Sequence, residues 1–402
     1  MSQFWRNISF ETSNFITSGG FLNSMNNNYN NFNNINCDIF TQKERPELSS
    51  IIGIGDCMVD IIAEVDENFI KKYELDSKMT KYVNEINKNI FDEIERMSYV
   101  CYLPGGSVEN ILRTLSYSLN DISFQNNNYY KSNYNMNINQ KMNISMMGCV
   151  GSDTYKDKII NSLIQSRINP LLNISKSETS RCAAGIYYKK SFLISDIKAS
   201  KDLNKEFILK NEDKILNNDI LLIEGYYVKD NFEIIKLLCE SFNKDENKII
   251  ILVLNPVELN YEEFEKIIYI ANLADIILSN VIMAGELSEM GELCRDVDKI
   301  YENLFKKLSN KKRIIVLKNG KEASYCAKYN YAENHLEYIL TYFPYQIRNE
   351  EIIDELGIED AFFGGFLSEY MKGSSLYLCL KRGCEISNIV LKNYGCTLER
   401  KK

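Results

Sequence analysis

From Leu48 onward, strand-length apolar runs alternate with amphipathic stretches of helical length, and this constrains the fold more than any other feature. The runs Ser50–Gly55, Ile220–Glu224, Lys248–Leu254, Asp275–Ser279 and Arg313–Leu317 are rich in Ile, Leu and Val, as strands covered on both faces are. Between them, Asp230–Asn243, Tyr261–Ala271 and Asp296–Ser309 repeat apolar residues at helical spacing. Buried strands alternating with helices predict an α/β fold with a mostly parallel central sheet flanked by helices. Residues 58–104 and 178–200 break the rhythm with alternating, half-polar segments such as Met58–Val65 and Ala183–Ile194. These predict a small second sheet, a lid over one edge. Ligands of such sheets bind beyond the carboxyl ends of the strands, so chemistry belongs just after them.

Two segments stand apart. Residues 23–36 and 126–143 are Asn-rich and too polar to bury a core of their own. The first belongs to an N-terminal extension, residues 1–47, expected to be disordered. The second is expected to be an insertion within one folded domain, residues 48–402. A net charge of −8 argues against a nucleic-acid partner, because phosphate binding needs a basic surface. The longest apolar run, Ile249–Leu254, falls far short of the roughly 20 residues that span a bilayer, so no membrane partner is expected.

The 11 cysteines contain no CxxC pair, which points to an intracellular, cytoplasmic setting rather than a disulfide framework. The N-terminus lacks a signal-peptide pattern, although its few acids leave an organellar transit sequence open. His335, the one histidine, lies in a polar stretch that reads as a loop, which excludes histidine-based catalysis and His-rich metal sites. No metal-ligand spacing stands out.

Two strand-end motifs remain. Gly53-Ile54-Gly55-Asp56-Cys57-Met58-Val59-Asp60 places glycines where a ligand nears the backbone, with a carboxylate, Asp60, suited to a ribose diol. Pro104-Gly105-Gly106-Ser107-Val108-Glu109-Asn110 leads into a helix and offers backbone and amide donors, although alone it also reads as a plain helix N-cap.

Six motifs in order resemble those of adenosine kinases in the ribokinase/PfkB sugar-kinase superfamily. They are GDCMVD (55–60), GGSVEN (105–110), GCVG (148–151), TSRCA (179–183), LGIED (356–360) and KNYGCT (392–397), with Ile-Glu-Gly-Tyr-Tyr at 223–227. The resemblance spans roughly residues 50 to 397. It implies a ribokinase-like fold, ATP and Mg²⁺ as cofactors, and phosphoryl transfer to the 5′-hydroxyl of a nucleoside, adenosine first. It further implies that Asp60 holds the ribose hydroxyls with Gly105, Gly106 and Asn110, and that Asp360 is the catalytic base. The N–H groups of Gly357, Ile358 and Glu359 would form the anion hole at the positive end of a helix.

On the phosphate side the chain departs from the family pattern. Glu359 stands where the family has glycine, and Met283 replaces the glutamate of the Mg²⁺-organising Asn-x-x-Glu, leaving only Asn280. The family arginine falls on Ser191, with Lys190 adjacent, and the family Thr-x-Gly is Lys318-Asn319-Gly320. Lys318 is expected either to help hold phosphate or to pair with Glu359. Asp56, Ser180 and Arg181 are milder departures on the nucleoside side. Two like charges about 5 Å apart at an effective dielectric of about 20 repel by about 3 kcal/mol. The expectation is therefore an adenosine-kinase-like protein with impaired catalysis, the alternative being a non-catalytic nucleoside sensor or scaffold.

Overall fold

The computed structural model describes residues 45–76, 80–120, 142–255, 259–291, 293–308, 311–330 and 335–398. The Asn-rich segments lie outside these residues, apart from Met142 and Asn143. Everything below concerns the described residues of the unit Lys43–Lys402.

The strands, in chain order, are β1 (Ser50–Ile54), β2 (Met58–Glu64), β3 (Lys81–Tyr82), β4 (Cys101–Gly105), β5 (Asn143–Val150), β6 (Asn169–Ile174) and β7 (Ser180–Tyr187). They continue with β8 (Lys190–Asp196), β9 (Ile220–Glu224), β10 (Ile249–Leu254), β11 (Ile276–Asn280), β12 (Arg313–Lys318), β13 (Ser324–Asn330) and β14 (His335–Tyr342). A nine-stranded sheet has the order β14-β13-β12-β11-β10-β9-β1-β5-β6. Its strands from β12 to β6 pair in parallel, while β13 and β14 form an antiparallel edge. The helices that matter for the site are α1 (Ser107–Asn120), α2 (Gly225–Phe242), α3 (Val281–Leu287), α4 (Ile358–Met371) and α5 (Leu376–Val390).

The apolar runs have a direct cause. Successive side chains of a strand point to opposite faces, and both faces of this sheet are covered. Ile51, Leu222, Ile251, Leu278 and Val316 join one apolar cluster with α1 and α4. Their neighbours Ile52, Leu221, Leu252, Ile277 and Ile315 join another with α2 and α3. Each such fully buried side chain contributes about 1.5–3 kcal/mol.

The second sheet has five strands in the order β3-β8-β7-β2-β4. Here β2 departs from the half-polar strand expected. Val59, Ile61 and Ala63 face the main apolar cluster, while Ile62 packs with Ala184, Ile186 and Leu356 on the other face. Strands β7 and β4 pair with both edges of β2 while the two clusters cover its faces, so only Asp60 and Glu64 keep appreciable exposure. His335 also departs from the reading. It opens β14 opposite Asn330 rather than sitting in a loop.

Candidate active site

The site forms where β1, β9 and β10 end and α1 begins. Glu224, the last residue of β9, is buried and ties these pieces together. Its Oε2 accepts from the Asp56 N–H at 2.7 Å and its Oε1 from the Ser107 N–H at 3.1 Å. Gly106 takes φ +101°, and a Cβ there would strike the Asp56 carbonyl, so no other residue fits without strain. Gly105 lies directly against the Asp60 carboxylate. The residues expected to hold a ribose are thereby gathered at one place.

The expected base is held in detail. Asp360 stands in the first turn of α4 and is buried. Ser107 Oγ donates to Asp360 Oδ1, and Asn110 Nδ2 donates to Oδ2 at 2.9 Å. Arg113 donates to Asn110 Oδ1, which fixes the orientation of that amide. Asn110, read as a ribose ligand, is therefore a partner of Asp360 in this structure. Asn255, at the end of β10, donates from Nδ2 to Ser107 Oγ at 2.6 Å. Burial pushes the Asp360 carboxyl above its ordinary range, while Ser107, Asn110 and Asn255 oppose that shift.

Gly357 caps the N-terminus of α4 with φ +77°, and a Cβ there would meet Cys396. Asp354 holds the approach to this turn by accepting from the Leu356 N–H at 2.8 Å and the Gly395 N–H at 3.0 Å. Ile358 is buried, and its carbonyl accepts from Ser387 Oγ at 3.0 Å. Glu359 is half-buried, and both of its oxygens accept from Asn280 Nδ2 at 3.1 Å. Asn280 also caps α3 by accepting from the Met283 N–H at 2.8 Å. Burial raises the Glu359 carboxyl to about 7, with the Asn280 amide opposing and Asp360 adding to the shift.

Lys318 makes no ion pair with Glu359. Its buried ammonium donates to the Glu322 carbonyl at 3.3 Å and lies 5.3 Å from the centre of the Phe362 ring. Burial lowers its pKa, and Glu359 is one of the carboxylates that oppose the shift. Gly320 sits in the turn between β12 and β13 with φ +49°. Lys190 is exposed at the β7–β8 hairpin tip opposite Tyr187, and none of its described contacts reaches Glu359 or Asp360. The neighbouring Lys189 docks on the approach to α4, its carbonyl accepting from the Glu355 N–H at 2.9 Å. Met283 is buried in the apolar cluster beside Val281, Ala284 and Leu287.

Carboxyls dominate the electrostatics. Burial raises Asp60 to about 7, with Arg113 opposing and Asp360 adding. It raises Asp56 to about 6 and Glu224 well above the carboxylate range. Glu109 is fully buried, neither of its oxygens has a hydrogen-bond partner among the described residues, and it rises to about 8. Among the described residues, no group of three or more His, Cys, Asp or Glu side chains is arranged to hold a metal ion. The first turn of α4 suits a phosphate–metal complex poorly, because it carries two carboxyls of its own, Glu359 against the Asn280 amide and Asp360 against the Asn110 amide.

Sequence reasoning missed Glu224 and Asn255 as parts of the site, and named Ser107 only as a capping-type residue of its motif. Glu224 carried a signal, since a carboxylate ending an otherwise apolar strand must find buried donors. Asn255 carried none beyond its place at a strand end.

Comparison with known proteins agrees with this architecture. The pfkB family carbohydrate kinase model matches residues 50–402. Adenosine kinase 2 of Arabidopsis thaliana is 24% identical over 361 residues, covering 87% of this chain and 96% of that protein. The adenosine kinase of Dictyostelium discoideum is 22% identical, covering 87% of this chain and 96% of that protein. Schistosoma mansoni adenosine kinase, solved with 2-fluoroadenosine, superposes with a TM-score of 0.74 at 18% identity, covering 89% of this chain and 99% of that one. No described helix is long and apolar enough to cross a membrane. The chain is an adenosine-kinase-like member of the pfkB carbohydrate kinase family.

Proposed function

We propose that the chain binds a nucleoside, adenosine first, between Asp60 and Asp360, and that Glu359 holds back phosphoryl transfer from ATP to its 5′-hydroxyl. One observation carries the reading: the Glu359 carboxylate lies at the N-terminus of α4, bonded through both oxygens to Asn280. A helix N-terminus favours an incoming anion. Here the chain places a carboxylate of its own in that first turn, next to the base.

The nucleoside side supports binding. Asp60 offers two acceptor oxygens against Gly105, where no side chain intervenes. Glu224 orders the turn and the helix start that frame it. Asp360 has the features of a general base: burial raises its proton affinity, while Ser107 and Asn110 keep it oriented. ATP with Mg²⁺ would supply the phosphoryl group when bound, and Lys318 is a buried cation close enough to Glu359 to oppose the rise of that carboxyl's pKa. Its ammonium is turned to Glu322, and Glu359 leaves the position net acidic.

Separate calorimetric titrations of the full chain with adenosine and with Mg²⁺–ATP test this. Saturable adenosine binding with far weaker ATP binding is expected. Tight ATP binding by the unaltered chain would overturn the reading of Glu359. Failure to bind adenosine would leave a scaffold role ahead.

A further inference from the structure

Asn255 has no role in the reading above, yet its surroundings assign it one. Its Nδ2 donates to Ser107 Oγ at 2.6 Å and lies close enough to Asp360 to lower that group's proton affinity. Its neighbours dictate which way the amide faces. Arg113 has only donors, so Asn110 turns Oδ1 toward it and Nδ2 toward Asp360. The Ser107 hydroxyl donates to Asp360, so it can only accept from Asn255. Asn255 Oδ1 must therefore face the other way. There it is buried and accepts from no described residue.

A buried acceptor without a donor is costly, and such an atom in a site marks a place for a ligand's donor. Both Asp360 oxygens already accept from the protein, whereas Asn255 Oδ1 accepts from no described residue. We propose that Asn255 Oδ1 accepts the hydrogen bond of the nucleoside 5′-hydroxyl in the bound state, holding that oxygen beside Asp360. The contact belongs to the ground state. The hydroxyl has one proton, so it must turn from Asn255 to Asp360 before that proton can leave. This inference rests on the nucleoside reading and names one contact within it.

The test compares adenosine, 5′-deoxyadenosine and 3′-deoxyadenosine, titrated calorimetrically against the full chain and against Asn255→Ala. In the natural chain, loss of the 5′-hydroxyl should weaken binding about tenfold, since it leaves a buried acceptor unpaired. In Asn255→Ala that penalty should fall to about twofold or less, while the 3′-deoxy penalty, which reports on Asp60, should persist. Asn255→Ser, too short to reach, carries the same expectation if the alanine variant does not fold. A 5′-deoxy penalty that survives in the variants would overturn the proposal and leave nucleoside binding intact. So would an equal loss for all three ligands, which would mean that Asn255 merely orders its loop. If the natural chain binds no adenosine, the nucleoside reading falls and this contact with it.

Discussion

The two halves of this pocket are built from the same elements but treat charge differently. On the nucleoside side, Asp60 faces a glycine and Glu224 is satisfied by two backbone N–H groups. On the phosphate side, the carboxylate of Glu359 is satisfied, among the described residues, by the Asn280 side chain, and the nearby ammonium of Lys318 is turned to a carbonyl. On the proposed reading, one half leaves acceptors open toward a neutral ligand with hydroxyl donors, and the other sets a carboxylate of its own where a phosphate would approach. A shared fold would then keep one partner's half of a site while closing the other.

The largest expected effect breaks the comparison from the nucleoside side. At pH 8, above the value of about 7 to which burial raises Asp60, Asp60→Ala should weaken adenosine binding about a hundredfold, since two hydrogen bonds to a charged group are worth about 3 kcal/mol together. Calorimetry checks this. A change below threefold would show that the open acceptors are not where the ribose binds.

A second prediction concerns the cost of keeping carboxyls buried beside Asp60. Glu109 rises to about 8 from its ordinary range, so the folded chain holds its proton to higher pH than the unfolded chain does. Its stabilising contribution is full below that ordinary range and is lost as pH rises through about 8. Glu109→Gln should therefore flatten the fall in stability between pH 5 and 9, by on the order of 3 kcal/mol at the alkaline end. Denaturant melts at several pH values measure it. Parallel curves for both chains would mean that Glu109 titrates normally.

The third and smallest effect sharpens the contrast on the phosphate side. Glu359 rises to about 7, so its charge appears as pH passes through that value. ATP affinity should drop about tenfold more steeply between pH 6 and 8 in the natural chain than in Glu359→Gln. Identical pH profiles would place the carboxylate away from the phosphates.

Much of the scaffold was legible because the main strands are covered on both faces, which leaves uninterrupted apolar runs such as Ile249–Leu254. The β13–β14 edge was not. The sequence before His335 is polar, and the pairing of β14 with β13 is tertiary rather than periodic. The burial of β2 was hidden for a similar reason, since Leu356, far along the chain, covers its second face. Within the site, residue types revealed Asp60 and Asp360 as candidates. The partners of those groups lie across the chain. Asn110 meets Asp360 across 250 positions, and Glu224 meets Asp56 across 168. No local pattern encodes such pairs. The charge of Glu359 was visible, but its attachment to Asn280 in place of Lys318 needed the three-dimensional arrangement.

The most direct measurement is ATP-dependent phosphorylation of adenosine by the natural chain and by Glu359→Gly, at equal adenosine occupancy and with melting temperatures matched. Removing one misplaced charge near the phosphate should raise turnover at least about tenfold. Asp360→Asn in the Glu359→Gly background should then abolish the gain, because the base would be missing. Robust turnover by the natural chain, unchanged or reduced by Glu359→Gly, would contradict the account and make Glu359 a working part of the site.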